Sequence, residues 1–115
     1  MLFFYDSVMV SQFTDTCKVG IKEITSVYPF FEDWINEIGY DMVYQNCYQQ
    51  AINVFKMNTQ LFPISFNVYD SLGDGYLANK QNKEAMFCFS EALRLNPNSK
   101  ESKEKLDKLK MESGD

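Results

Sequence analysis

The sequence predicts an all-α fold in which a pair of helices is repeated along the chain. The shift that superposes Gly39 on Gly73 also superposes Pro63 on Pro97. Apolar residues between these positions recur at helical spacing. A proline ends a helix because it lacks the backbone N–H that continues the hydrogen-bond ladder. Self-similarity at a fixed period, here about 34 residues, indicates a repeat architecture, so we expect a solenoid of helix-turn-helix units.

Each predicted repeat packs a helix A against an antiparallel helix B. The first repeat covers residues 30–63 and the second covers residues 64–97. A glycine inside each helix A costs about 1 kcal/mol relative to alanine, which close packing against helix B is expected to offset. A phenylalanine in each helix B is expected to fill the space between neighbouring helices. The small and large residues concerned are Gly39, Ala51 and Phe55, then Gly73, Ala85 and Phe89.

The segments before and after the two repeats follow the same register of about 34 residues. Residues 1–29 are predicted to form a degenerate N-terminal pair of helices, because Pro29 lies one full period before Pro63. Residues 98–115 are predicted to form a polar capping helix and tail, which solenoids need for solubility. The lysines of this segment are expected to pair with acidic residues on a solvated face; they are Lys100, Lys103, Lys105, Lys108 and Lys110. The whole chain is therefore predicted to be one domain.

The composition argues against catalysis. The 115-residue chain contains no histidine, so neither a Ser-His-Asp nor a Cys-His apparatus can be assembled from it. Zinc sites that use histidine are excluded for the same reason. The three cysteines are far apart and odd in number, which favours free thiols over a disulfide framework. We therefore predict a protein that is not an enzyme and has neither a metal site nor another cofactor.

Charge and hydropathy exclude two further kinds of partner. The formal net charge is -5, so the basic surface that nucleic-acid binding requires is missing. No run of about 18 apolar residues is present, so no membrane-spanning helix is predicted. The chain also lacks the basic start of a signal peptide. These features favour the cytoplasm without fixing a compartment.

The period and the residue types resemble the tetratricopeptide repeat. The second copy carries the fuller pattern, in Tyr69, Leu72, Gly73, Tyr76, Ala85, Phe89, Ala92 and Pro97. The first copy departs from it at Met42, where tyrosine is usual, and at Asn58, where a small apolar residue is usual. The resemblance implies a scaffold of two full repeats that binds another polypeptide in the concave groove formed by its A helices.

The resemblance also implies which side chains line that groove. In the first repeat they are Asp33, Asn36, Glu37, Tyr40, Val43 and Tyr44. In the second repeat they are Asn67, Asp70, Ser71, Asp74, Leu77 and Ala78. Chaperone-adaptor members of the family hold a terminal carboxylate with lysine, asparagine and arginine at such places, whereas this set is acidic and aromatic. It favours a basic or amphipathic protein segment, although the same face would also suit a neighbouring domain of the same polypeptide.

Three stretches also resemble the C-terminal repeat region of bacterial esterases and penicillin-binding-type serine hydrolases. They are residues 35–40, 66–74, and 51–58 followed by 61–63. The alternative function that this resemblance implies is an accessory domain whose catalytic domain is not in this chain. Two repeats are fewer than a continuous core usually needs, and the N-terminal helices and the capping helix are one source of the missing layers. Where they do not supply them, the apolar residues 2–5 are expected to pair with such a domain or with a second copy, and weak self-association is predicted.

Overall fold

The computed structural model describes residues 31–113, and these form five α-helices joined by short turns. The helices are α1 (Phe31–Tyr44), α2 (Tyr48–Leu61), α3 (Phe66–Ala78), α4 (Asn82–Leu95) and α5 (Lys100–Glu112). No strand occurs between residues 31 and 113. The predicted all-α helical-repeat fold is confirmed for this part of the chain. The degenerate helix pair predicted over residues 1–29 lies outside the described residues.

Each helix packs against the next one along the chain, so α1 and α2 form one antiparallel pair and α3 and α4 form another. In addition α1 packs directly against α3, which places the two A-type helices side by side. Helix α5 follows as a third A-type helix and packs against α4. In the part of the chain that the structure describes, no helix is long and apolar enough to cross a membrane.

A glycine of helix A meets a phenylalanine ring of helix B in each repeat. A Cβ atom added at Gly39 would stand closer than 3.0 Å to the ring of Phe55, and one at Gly73 would stand equally close to the ring of Phe89. A Cβ atom added at Gly75 would stand 2.9 Å from the opposite edge of the Phe55 ring. The sequence pattern did not predict this third close contact. The fully buried Phe55 ring therefore joins the two repeats, since glycines from both of them make room for it.

The turns after α1 and α3 share one geometry. Asn46 and Lys80 occupy the same place in the two repeats, and both have a positive φ, of 63° and 61°. In the first turn the N–H of Cys47 donates to the carbonyl of Met42 at 2.8 Å, and the equivalent bond closes the second turn at 2.8 Å. This pattern, with a left-handed residue just after the helix, is the Schellman motif. It sends helix B back along helix A in the same way in both repeats.

The B-type helices end as the prolines predict. Helix α2 ends at Leu61 and α4 at Leu95, in each case two residues before the proline. The departure at Asn58 has a structural use, because its buried amide donates to the backbone carbonyl of Glu32 at 3.0 Å. A small apolar residue there could not make this bond, which ties the end of α2 to the start of α1.

Candidate interaction face

The three A-type helices between residues 31 and 113 are joined by polar contacts that span about one repeat. The hydroxyl of Tyr40 in α1 donates to the carboxylate of Asp74 in α3 at 2.5 Å. From the other side, the ammonium of Lys105 in α5 donates to the same Asp74 carboxylate at 3.1 Å. Asp74 is therefore held from both neighbouring A-type helices.

Asp70, one turn earlier in α3, completes this arrangement. The Lys105 ammonium lies 2.8 Å from one carboxylate oxygen of Asp70, and the hydroxyl of Ser102 donates to the other at 2.7 Å. We call the five side chains of Tyr40, Asp70, Asp74, Ser102 and Lys105 the polar network. It connects α1, α3 and α5 through side chains alone, and one ammonium group faces two carboxylates within it.

Burial and charge set the protonation of the network. Burial raises the pKa of Tyr40 well above its ordinary value, and the charge of the Asp74 carboxylate raises it further. Burial also raises the pKa of Asp74, against the hydrogen bond from Tyr40 and the charge of Lys105, which lower it. Burial lowers the pKa of Lys105, but the hydrogen bond to Asp70 and both carboxylate charges outweigh this, so its pKa is raised. Tyr40 and Lys105 consequently keep their protons at neutral pH.

The position of Lys105 corrects the sequence prediction for the capping helix. The lysines of α5 were expected on a solvated face, and an exposed i,i+4 pair does occur between Lys103 and Asp107 at 3.7 Å. The side chain of Lys105 is only 27% exposed and turns towards α3 instead. Its ammonium also lies 5.6 Å from the ring centroid of Phe89. The sequence feature that indicates this contact is the spacing of Lys105 from Asp74 and Asp70. These spacings are 31 and 35 residues, which is close to one repeat.

The predicted groove residues of the first repeat are the more accessible set. Asp33, Glu37 and Tyr44 are exposed, and the remaining three are half-buried, namely Asn36, Tyr40 and Val43. The amide oxygen of Asn36 is buried and has no hydrogen-bond partner among residues 31–113. The exposed three lie on the face of α1 opposite its buried residues, which are Ile35, Gly39 and Met42.

The predicted groove residues of the second repeat are mostly closed. Asp70 and Ser71 are buried, which corrects the expectation that they line an open groove. Asp74 and Asn67 are half-buried, as is Ala78. Leu77 is exposed at the end of α3. The difference from α1 arises because α5 covers the α3 carboxylates, and the sequence pattern did not predict that contact.

Negative charge is concentrated on the A-type helices α1 and α3. Helix α1 carries four acidic residues and no basic residue, namely Glu32, Asp33, Glu37 and Asp41. Helix α3 carries Asp70 and Asp74 and again no basic residue. In contrast, α4 has two acidic and two basic residues. Because Lys105 pairs with both carboxylates of α3, the exposed negative charge of these two helices lies on α1.

The described residues offer little for chemistry at a reacting bond. Burial raises the pKa of the Cys88 thiol to about 12, so this group stays protonated and a weak nucleophile at neutral pH. Between residues 31 and 113, no three His, Cys, Asp or Glu side chains form a group that could hold a metal ion. What this part of the molecule presents is an acidic and aromatic helix face on a packed helical frame.

Comparison with known proteins bears on the second repeat. Residues 66–99 match the family model of the tetratricopeptide repeat. The matched segment contains α3, α4 and the proline after α4, so it supports the family that the sequence resembles. The chain matches no curated protein. A tetratricopeptide-type helical repeat is typically a non-catalytic scaffold for protein interactions.

Proposed function

We propose that this chain is a non-catalytic scaffold that binds a polypeptide segment of another protein along its A-type helices. The observation that carries the proposal is the exposed acidic and aromatic face of α1, formed by Asp33, Glu37 and Tyr44. We call these three residues the α1 face. It lies on a repeat fold whose usual role is protein binding. A helix of this kind offers a preformed surface, so little ordering is needed when a partner binds.

The charge of the α1 face favours a basic or amphipathic partner. Helix α1 has four carboxylates and no cation of its own, so lysine or arginine side chains of a partner would find complementary potential there. A partner that presents a carboxylate would be repelled. Lys105, which faces the carboxylates of α3, is already paired with Asp70 and Asp74 and offers no open anion site.

Affinity capture from a cell extract tests the proposal. Tyr44→Ser and Glu37→Gln change exposed side chains of the α1 face, whereas Tyr40 belongs to the polar network and its replacement would test the frame. Phe87→Ser is the matched control, because Phe87 is a large exposed side chain on the B-type helix α4. We expect a polypeptide that the unaltered chain and the control retain and that the double variant Glu37→Gln, Tyr44→Ser loses. Retention of the same polypeptides by all three would contradict the proposal.

The accessory-domain alternative rests on the sequence stretches 35–40 and 66–74 and remains a prediction. It requires that the α1 face cover a catalytic domain on the same polypeptide. A longer reading frame in which a hydrolase domain precedes this chain would support it. A stop codon directly before Met1 would end it.

A further inference from the structure

We infer that the partner of the α1 face is an amphipathic segment with its basic and apolar residues separated, not interleaved. Its basic end would lie over Asp33 and Glu37, and its apolar end over exposed apolar side chains where the A-type helices end. This inference rests on the proposed function and specifies the partner further.

The apolar end of the site follows from the repeat register. Among residues 31–113, five large hydrophobic side chains are exposed. Three of them lie near the C-terminal ends of the A-type helices: Tyr44 at 78% exposure in α1, Leu77 at 37% in α3 and Met111 at 80% in α5. Leu77 and Met111 are one full repeat period apart, and Tyr44 precedes Leu77 by a single residue less than that period. We call these three side chains the apolar strip.

The contacts of the polar network show that the A-type helices lie side by side. Tyr40 and Asp74, which are 34 residues apart, are hydrogen-bonded between α1 and α3. Asp74 and Lys105 are hydrogen-bonded between α3 and α5. Tyr44 and Leu77 lie about one turn beyond Tyr40 and Asp74 in their helices, and Met111 lies six residues beyond Lys105. Single exposed hydrophobic residues are ordinary on protein surfaces, but three near the same ends of the A-type helices favour an interaction site, and tyrosine and methionine are enriched in interfaces.

The place of the partner's cation follows from which carboxylates are already paired. Lys105 lies within 3.1 Å of both Asp70 and Asp74, so a ligand would have to displace it to reach them. Asp33 and Glu37 are exposed, and neither makes a salt bridge within the described part of the chain. Charge complementarity therefore directs the partner's lysine or arginine residues to the N-terminal half of α1.

Helix geometry fixes the separation between the two ends. Asp33, Glu37, Tyr40 and Tyr44 are spaced so that they lie on one face of α1. At about 1.5 Å per residue, Tyr44 lies roughly 10 Å beyond Glu37 and roughly 16 Å beyond Asp33 along the helix axis. A partner in extended conformation would cover this distance in about 3–5 residues. A helical partner would need about 7–11 residues.

Titration of synthetic peptides into the full chain tests this spacing. The probes are three fluorescently labelled peptides of equal length and composition, with lysine and leucine as the binding residues. In two of them the lysines are separated from the leucines by about 4 residues, as an extended segment requires, or by about 9 residues, as a helix requires. In the third they are interleaved. We expect one separated peptide to bind at least tenfold more tightly than the interleaved one, because only it places both groups on their sites. Fluorescence anisotropy at low and high salt is the measurement.

Variants of the protein assign the contacts. Tyr44→Ser is expected to weaken the favoured peptide about tenfold at all salt concentrations, since it removes apolar contact. Asp33→Asn with Glu37→Gln is expected to weaken it about tenfold at low salt and less at high salt, because exposed charges are screened. Phe87→Ser serves as the control, since Phe87 is 67% exposed but lies on α4, and it should leave the affinity unchanged.

Several outcomes would overturn the inference. Equal affinity for separated and interleaved peptides would do so, as would an equal loss with Phe87→Ser and Tyr44→Ser. A concentration-dependent dimer that Tyr44→Ser dissociates would mean that a second copy covers the apolar strip. If no peptide binds while a cellular partner is still captured through the α1 face, the spacing is wrong and the proposed function stands. If neither binds, both fail.

Discussion

Helices α1 and α3 occupy equivalent places in the two repeats, and both are acidic, yet their carboxylates have different surroundings. Asp70 and Asp74 in α3 are bound by Lys105 of the following A-type helix. Asp33 and Glu37 in α1 are exposed to solvent. By the 34-residue register Asp33 and Glu37 correspond to Asn67 and Ser71, so the two acidic pairs occupy different positions on equivalent helices. The neighbouring helix decides whether a carboxylate stabilises the frame or remains open to a partner.

The apolar side of the two repeats shows the opposite behaviour, since it is nearly identical. Gly39 and Phe55 make the same close contact as Gly73 and Phe89. Both phenylalanine rings are completely buried. The frame is thus repeated, while the polar side chains on it are not.

The largest effect is expected from the repeated frame. Phe55→Ala and Phe89→Ala should each lower the free energy of unfolding by about 3–5 kcal/mol, because each would leave a cavity beside a glycine that no other side chain can fill. Urea denaturation followed by circular dichroism measures this. Phe87→Ala is the control on the same helix as Phe89, and it should stay within about 0.5 kcal/mol of the unaltered protein. Similar losses at positions 87 and 89 would show that the phenylalanine contacts do not hold the frame.

The paired carboxylates of α3 give the next largest effect. Lys105→Met should lower the free energy of unfolding by roughly 1–3 kcal/mol, because it leaves Asp70 and Asp74 partly buried without their cation. Lys103→Met breaks an exposed pair on the same helix and should cost less than about 0.5 kcal/mol. Chemical denaturation measures the free energy of unfolding of both variants. Equal losses in the two would show that the ammonium of Lys105 does not stabilise the carboxylates of α3.

Alkaline pH should lower the free energy of unfolding through Tyr40 and Lys105 of the polar network and through Cys88, which lies outside it. In the folded state the pKa values of Tyr40 and Lys105 are raised, and that of Cys88 is raised to about 12. Each group therefore stabilises the fold fully below its unfolded pKa, which is about 8.5 for cysteine and about 10 for tyrosine and lysine. That stability is lost as the pH rises through the folded pKa, at up to about 1.4 kcal/mol per pH unit for each group.

Thermal unfolding between pH 7 and pH 11 measures this loss. Cys88→Ala should flatten the decline that begins near pH 8.5, and Tyr40→Phe should flatten it only above about pH 10. A melting temperature that does not change with pH over this range would contradict the assigned protonation of these three groups.

The smallest effect concerns the turns after the A-type helices. Asn46 and Lys80 have the same left-handed backbone, with φ of 63° and 61°, but asparagine adopts this conformation at lower cost than lysine. Lys80→Asn should therefore raise the free energy of unfolding by about 0.5–1 kcal/mol, and Asn46→Lys should lower it by a similar amount. Denaturation midpoints of the two variants test the pair. Shifts in the same direction would contradict the equivalence of the two turns.

The sequence predicted the frame because a frame of this kind is encoded redundantly. The repeat period, the Gly39 and Gly73 positions and the terminating prolines all indicate the same register, and the helices follow it. The division of the chain into repeat boundaries remains a prediction.

The polar contacts were less predictable because they depend on where a single long side chain points. The lysines of α5 look alike in the sequence, and only the folded arrangement shows that Lys105 turns towards α3. That contact in turn buries Asp70, which the repeat register alone had placed on an open groove. For Asn58, the pattern identified an unusual residue but not its bond to the carbonyl of Glu32.

The most direct test of the difference between α1 and α3 is an NMR map of the amide shifts that change when the favoured peptide binds. We predict that the changes cluster along Asp33, Glu37 and Tyr44 and at the apolar strip residues Leu77 and Met111. Resonances of Lys105 and of its partners Asp70 and Asp74 should change little, because that network stays closed. Changes centred on Lys105 and α3, or on the B-type helices α2 and α4, would contradict the claim that the acidic face of α1 is the open binding surface.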